Sequence, residues 1–408
     1  MLERLVENVC PHVIPEEQCG YRPEQGTMDM IFSARQVQQK CLEEQMPLYQ
    51  VFINLTKAFD MVNRDALWIV LCKLGCPTHF VSLFEKLHSN MKAQVVFNGN
   101  LSDEFSVDNG VKQGDIPAPT LFSIYFAALL CKSEKNQGNV YPTPGQIYTE
   151  PNIFVNGTRL EVIDTFVYLE TTLSRNGGLD AEIYYRIAKG SAAFGKLEKR
   201  VWADRDISLQ TKISIYKACV LTALLYSGET WTIYKRYVKM LERFYQKCLR
   251  RILGVKWKRF VADTEVLRRA HCSSIEKHII LAQMRWTGHV IRMKDDRLPK
   301  RLFYGEISSG ERPRQKPSKR YKDCIKQNLK KLDMYESDWE GDVLDRSKWR
   351  AVVRTSCDAW EEKMFQQLEL KRACRKGKIL HQGLRCVDIN PFFQVFPQEK
   401  ILGNVKAS

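Results

Sequence analysis

The sequence predicts an α/β (α+β) first part joined to a mainly α-helical, strongly basic second part. Three observations carry this. Short runs of β-branched and aromatic residues, broken by turn residues, fill the first 175 positions. From Asp180 onward the apolar residues fall at helical spacing. The charge also changes sign along the chain: residues 1–150 hold 12 Lys+Arg against 17 Asp+Glu, and the remainder holds 51 against 30. With 408 residues, 44% of them hydrophobic, the chain is long and apolar enough for two or three domains with real cores. The net charge of +16 lies in the second part and suggests a polyanionic partner.

Composition excludes other classes. The opening MLERLVENVC carries three charges and no apolar core, so no secretory signal is expected. No apolar run approaches the roughly 18 residues of a membrane span, so no membrane partner is expected. Thirteen cysteines form an odd count without a regular framework, which suggests free thiols in a reducing compartment. The expected location is therefore intracellular, in nucleus or cytoplasm, with the sequons at Asn54, Asn100 and Asn156 idle.

Taken in order, the first element is a helix from Thr27 to about Leu42. Met30, Ile31, Ala34, Val37 and Cys41 share one face, Thr27 is a candidate N-cap, and Pro47 lies beyond the end. Tyr49 to Ile53 reads as an apolar strand that breaks at Asn54-Leu55-Thr56-Lys57. Helices follow over Arg64–Leu74, closed by Gly75, and over Phe80–Met91 after Pro77. Ala93–Phe97 alternates as a strand, Asn98-Gly99 is a hairpin turn, and Phe105–Val107 returns. Pro119 opens a helix over Thr120–Leu130. Ile153–Asn156, Thr158–Val162 and Phe166–Leu169 read as short strands.

Beyond them, Asp180–Ala203, Ser208–Tyr226 and Lys235–Leu253 are amphipathic helices, the last closed by Gly254. In that last helix Leu241, Phe244, Cys248, Leu249 and Ile252 form an apolar stripe. Lys235, Lys239, Arg243, Lys247 and Arg250 step along a neighbouring face. A solvated helix face is the plainer reading of such a row; a nucleic-acid contact is the functional one. Gly305–Lys319 is a Pro/Gly/Lys/Arg-rich linker, and a final helical unit spans about Tyr321–Lys371.

Phe52-Ile53-Asn54-Leu55-Thr56-Lys57-Ala58-Phe59-Asp60-Met61-Val62-Asn63 resembles motif A of reverse transcriptases in the version carried by non-LTR, LINE-type retrotransposons. There the pattern is roughly F-I-D-L-T-K-A-F-D-x-V-N. The resemblance places Asn54 where the family has its first metal-binding Asp. It places Phe59 at the aromatic that crowds the sugar of the incoming nucleotide, and Asp60 at a frequent Asp that is not a ligand. Glu17-Gln18-Cys19-Gly20-Tyr21-Arg22-Pro23 resembles a segment of the same family's fingers, and implies that Arg22 lies near nucleotide or template. Asn109-Gly110-Val111-Lys112-Gln113-Gly114, followed by Pro119-Thr120-Leu121-Phe122-Ser123, resembles motif B. It implies that Gln113 and Gly114 contact the templating pair and the incoming nucleotide. Asp115, Pro117-Ala118 and Glu170 depart from the family pattern.

The family next carries motif C, a tight hairpin reading Phe/Tyr-Ala-Asp-Asp that supplies the second metal-binding carboxylate. Residues 131–150, CKSEKNQGNVYPTPGQIYTE, contain no Asp and read as a loop in its place. The Asp295-Asp296 pair lacks an apolar strand to present it and is expected on a surface loop. The resemblance thus implies a fingers–palm fragment over 1–130, a loop at 131–150, the end of the palm at 151–175 and a basic thumb-like region at 176–304. A linker at 305–320, a helical unit at 321–378 and an unrelated tail at 379–408 complete the order. Upstream segments of an intact element protein are not represented. Cys357, Cys374, His381 and Cys386 lack the paired Cys-x-x-Cys half of the family's terminal finger, so no zinc site is expected.

Family chemistry is RNA-directed DNA polymerisation, a phosphoryl transfer that uses Mg²⁺. Mg²⁺ prefers anionic oxygen in strict octahedral geometry. Asn54 offers a neutral carbonyl oxygen and an NH₂ that repels a cation, and motif C has no candidate. Productive Mg²⁺ binding is therefore not expected, and the chain is predicted to be a pseudoenzyme. The basic half is expected to bind RNA or DNA without sequence preference. A decayed element product without a host function is the remaining alternative.

Overall fold

The computed structural model describes residues 2–16, 18–20, 22, 24–51, 55–134, 154–155, 157–256, 260–307, 319–335, 339–375 and 377. Helices α1 (Leu2–Asn8) and α2 (Cys10–Val13) precede α3 (Thr27–Glu43). Thr27 was the expected cap of α3, but Gly26 takes that place, and its N–H is accepted by the Asp29 carboxylate at 3.3 Å. In α4 (Arg64–Lys73) the Asn63 side chain accepts the Ala66 N–H, and Gly75 closes the helix at φ +83. α5 (Thr78–His88) begins after Pro77 and stops three residues short of the expected Met91.

The hairpin forms around Asn98 (φ +49) and Gly99 (φ +83), both in the left-handed region that a two-residue turn requires. It consists of β1 (Lys92–Ala93), β2 (Val96–Phe97), β3 (Asn100–Leu101) and β4 (Phe105–Ser106). β2 pairs β3, and β1 pairs β4 in the register Lys92↔Ser106, Ala93↔Phe105. After α6 (Ala118–Glu134) come two more ladders. β5 (Phe154–Val155) pairs β6 (Thr158–Arg159), and β7 (Thr165–Tyr168) pairs β8 (Thr171–Ser174).

The α/β expectation holds only in part. Among the described residues the strands make four separate two-stranded antiparallel ladders and no wider sheet. The strand expected over Tyr49–Ile53 is the main correction. Tyr49–Val51 joins no ladder, and Val51 is 56% exposed, while Phe52 and Ile53 lie outside the described residues. A lone extended segment leaves its backbone groups to water and gains no cross-strand packing, so it does not register as a strand. The loop expected at 131–150 lies almost wholly outside the described residues, and the tail at 379–408 does so entirely.

The second half is helical, as expected. It comprises α7 (Asp180–Lys196), α8 (Leu209–Ile215), α9 (Thr222–Leu224), α10 (Lys235–Ile252), α11 (Asp263–Arg269), α12 (Ile275–Arg292), α13 (Leu298–Tyr304), α14 (Tyr321–Lys331), α15 (Trp339–Leu344) and α16 (Arg346–Arg375). Two π-helical stretches, Glu198–Trp202 and Tyr216–Leu221, interrupt helices that the sequence reads as continuous. The wider turn at Glu198–Trp202 brings Trp202 back onto Phe194, with ring centroids 4.9 Å apart and its Nε1–H donating to the Phe194 carbonyl at 2.8 Å. Asp295 lies on a surface loop as expected, 96% exposed in its side chain and paired with Lys300. No described helix is long and apolar enough to cross a membrane, and the twelve described cysteines are free.

Among the described residues, three apolar cores organise the fold. One joins α1, α2, α4, α5 and α6, and a second lies among α7 to α12. A third gathers α12, α13, α14 and α16 around Phe32 of α3. The Phe32 ring meets Trp286 and Tyr321 edge-on at 5.6 and 5.1 Å. Helix α3, from the first part of the chain, thus packs into a core of the second. Polar side chains of α3 are buried with it: Asp29 holds Arg297 together with Glu16 from the stretch before the helix, while Lys40 reaches the Gly305 carbonyl. Burial pushes the Asp29 carboxyl up, against the opposing pull of the Gly26 N–H and Arg297.

The β7–β8 turn carries Leu169 at φ +46 and Glu170 at φ +64. A side chain in this region costs about 1–2 kcal/mol that glycine avoids. The side chain of Glu170 gains two exposed contacts, a pairing with Lys189 at 3.5 Å and a hydrogen bond donated by the Tyr185 hydroxyl at 3.4 Å. Glu170→Gly is therefore expected to raise stability by about 1 kcal/mol, read as a higher urea midpoint with an unchanged slope.

Candidate functional site

Two places carry the sequence-derived candidates. The first is the junction between 55–64 and 109–126. The Phe59 carbonyl accepts the Val111 N–H at 2.9 Å, and the Val62 carbonyl accepts the Gly110 N–H at 2.8 Å. The Phe59 ring stacks on Phe122 of α6 at 4.7 Å, and Phe122 stacks on Phe126 at 5.8 Å. The motif A and motif B stretches therefore meet directly. Arg64, which the sequence reading passed over, clamps them. Its guanidinium donates to the carbonyls of Gly110 (2.8 Å), His88 (2.9 Å), Val107 (2.9 Å) and Asn109 (3.2 Å). Its place at the first turn of the helix after motif A was the available signal. Desolvation lowers its pKa from the ordinary arginine value.

Gln113 and Gly114 lie on the exposed part of the same loop, Gly114 at φ +103. Arg22 is committed elsewhere: its Nη1 donates to the Ile14 and Pro15 carbonyls at 3.1 and 2.8 Å. It lines a cavity of about 200 Å³ with Gln25, Thr120 and Ser123. Asn54 lies outside the described residues. Among the described residues no three His, Cys, Asp or Glu side chains are grouped to hold a metal ion.

The second place is the outer face of α10. Leu241, Cys248 and Leu249 are buried, as the stripe requires, and Phe244 is half-buried. Lys235, Lys239, Arg243 and Lys247 are exposed, and no ion-pair partner holds any of them among the described residues. All four line a groove of about 1220 Å³ between α10 and the neighbouring α7, α11 and α16. The acids nearby are already engaged. Glu242 turns inward, accepting from Gln246 and from the Ile275 N–H at 2.8 and 3.0 Å, and burial pushes its carboxyl up. Glu198 is held by Arg251 and Glu276 by Lys331. Arg250, the fifth member of the row, is pinned to Asp263 at 2.6 Å and to the Val261 carbonyl at 2.8 Å. The groove is thus an open positive surface whose own carboxylates do not neutralise it.

Residues 1–143 match the family described as reverse transcriptase (RNA-dependent DNA polymerase). The chain is 24% identical over 325 aligned residues to an RNA-directed DNA polymerase from the mobile element jockey of Drosophila funebris, covering 65% of this chain and 35% of that protein. A transposon-derived protein of Caenorhabditis elegans is 22% identical over 204 residues, 48% of this chain and 72% of that protein. A Pol polyprotein from a type-2 retrotransposable element of Drosophila melanogaster is 27% identical over 113 residues, 28% of this chain and 11% of that protein. The chain spans about a third of the length of the jockey relative. That alignment is longer than 65% of 408 residues, so the relative carries positions with no counterpart here. Residues 1–143 are a reverse transcriptase domain, and the chain is a relative of the RNA-directed DNA polymerases of non-LTR mobile elements.

Proposed function

We propose that this reverse-transcriptase relative no longer polymerises and instead binds nucleic acid, without sequence preference, along the groove of α10. The observation that carries the reading is the row Lys235, Lys239, Arg243 and Lys247, unpaired on one side of a groove of about 1220 Å³. Four residues per step along a helix give about one positive charge per turn, a spacing that tracks a phosphate backbone. Phosphate contacts release condensed counterions, so affinity falls steeply with salt and varies little with sequence. In the full-length protein, replacing Lys239, Arg243 and Lys247 by Ala is expected to reduce the slope of log affinity against log salt by roughly 2 to 3. An unchanged slope would show that this face does not meet nucleic acid.

Loss of polymerisation rests on Asn54 and on the absence of any Asp in residues 131–150. Without two sources of negative charge, paired Mg²⁺ ions would repel each other across the site. No extension of a primed template is expected with Mg²⁺ or Mn²⁺, and Asn54→Asp alone is expected not to restore it. Extension that disappears on Asn54→Ala would refute this part.

A further inference from the structure

We infer that the groove takes single-stranded rather than duplex nucleic acid, with Phe260 as the platform on which an unpaired base stacks. This deepens the reading of the α10 groove and rests on it. Phe260 is 86% exposed, the highest value among the exposed large hydrophobic side chains. It lines the same groove as Lys235, Lys239, Arg243 and Lys247. Its backbone sits at φ +47, a region that a bulky side chain rarely adopts. A strained backbone that holds a large apolar ring in water gains nothing from packing, which is the pattern of a residue kept for a ligand.

The segment after it is fixed rather than loose. Arg250 donates to the Val261 carbonyl at 2.8 Å and to the Asp263 carboxylate at 2.6 Å, tying the chain on both sides of Ala262 to α10. The cation missing from the row of free charges is therefore the one that ties down the chain immediately after the aromatic. A flat ring next to spaced cations suits a single strand: phosphates follow the charges, and a base with a free face stacks on the ring. A duplex keeps its bases stacked on one another and offers no such face, so the ring would meet only backbone.

The test compares binding of the full-length protein to a short single-stranded oligouridylate and to a blunt RNA duplex of equal length, by fluorescence anisotropy at fixed salt. Phe260→Ala is expected to weaken single-strand binding roughly 5- to 100-fold and to leave duplex binding and the salt slope unchanged. Phe260→Trp should retain single-strand affinity and add an indole emission that falls on adding the single strand but not the duplex. Because the ring is exposed, neither change should disturb folding. If Phe260→Ala has no effect, or weakens both ligands equally, while the Lys239, Arg243, Lys247 variant still flattens the salt slope, the stacking role falls and the groove remains. If neither oligonucleotide binds the wild type, both fall together.

Discussion

Replacing Glu182 by Gln is expected to cost about 3–5 kcal/mol of folding stability, the range for breaking a buried ion pair from one side. Glu182 is completely buried at the start of α7. Its Oε1 pairs with the Arg186 Nε at 3.0 Å and accepts from the Ser227 hydroxyl at 3.3 Å. Its Oε2 accepts the Thr172 N–H. Arg35 of α3 approaches from the other side, donating to the Thr171 hydroxyl at 2.9 Å and the Thr172 carbonyl at 3.2 Å. One guanidinium thus pairs with the carboxylate and a second lies within its field, in a place closed to water. Burial pulls the Arg35 pKa down to about 10; Glu182 opposes that shift and Arg186 adds to it. Gln at 182 keeps the shape and removes the only negative charge in the cluster, leaving two buried cations that repel each other. Arg35→Met should cost less, because it removes the excess positive charge rather than its partner. Urea denaturation of the two single variants and the double variant would check this. A Glu182→Gln loss below about 1 kcal/mol would mean that another anion reaches the cluster.

That cluster also marks where sequence reasoning ends. The Glu182 and Arg186 spacing of four residues reads as an ordinary surface pair on a helix. Its burial follows from α3 and β8 packing over it, and those segments are far away in the chain. The same holds along α3. Periodicity finds the helix and its apolar face, but Arg35, Gln38 and Lys40 read as solvated polar residues. In the fold they are buried against β8 and the end of α13. Periodicity and turn chemistry were sufficient for α4, α10 and the Asn98-Gly99 hairpin, because the signals there are local. They failed at Tyr49–Val51, where strand formation needs a neighbour that no local pattern supplies. Of the candidate sites, the exposed cations of α10 were legible from their spacing. Arg64 was not, since its role is to hold carbonyls from two separate stretches, the end of α5 and residues 107–110. Phe260 was hidden too, because exposure and backbone strain leave no periodic trace.

Gly110→Ala is expected to cost about 2–4 kcal/mol and to loosen the motif A and motif B junction specifically. Gly110 sits at φ +88, and a Cβ placed there would lie 2.8 Å from both the Cα and the carbonyl oxygen of Asp60. Those are backbone atoms, which cannot swing aside like a side chain. The hydrogen bonds around it leave little freedom: the Gly110 N–H donates to the Val62 carbonyl, the Gly110 carbonyl accepts from Arg64, and the Val111 N–H donates to the Phe59 carbonyl. Alanine therefore brings both a disfavoured backbone angle, about 1–2 kcal/mol, and overpacking of about 1–3 kcal/mol. Gly114→Ala separates the two contributions. Gly114 is also at positive φ, +103, but nothing lies within 4 Å of its added Cβ, so only the backbone cost applies. The expected result is a clearly larger loss at 110 than at 114, together with faster amide exchange at Val111, whose N–H depends on the contact with Phe59. Equal losses at the two glycines would show that the backbones of the two motifs are not held in close approach, and that the Arg64 clamp alone joins them.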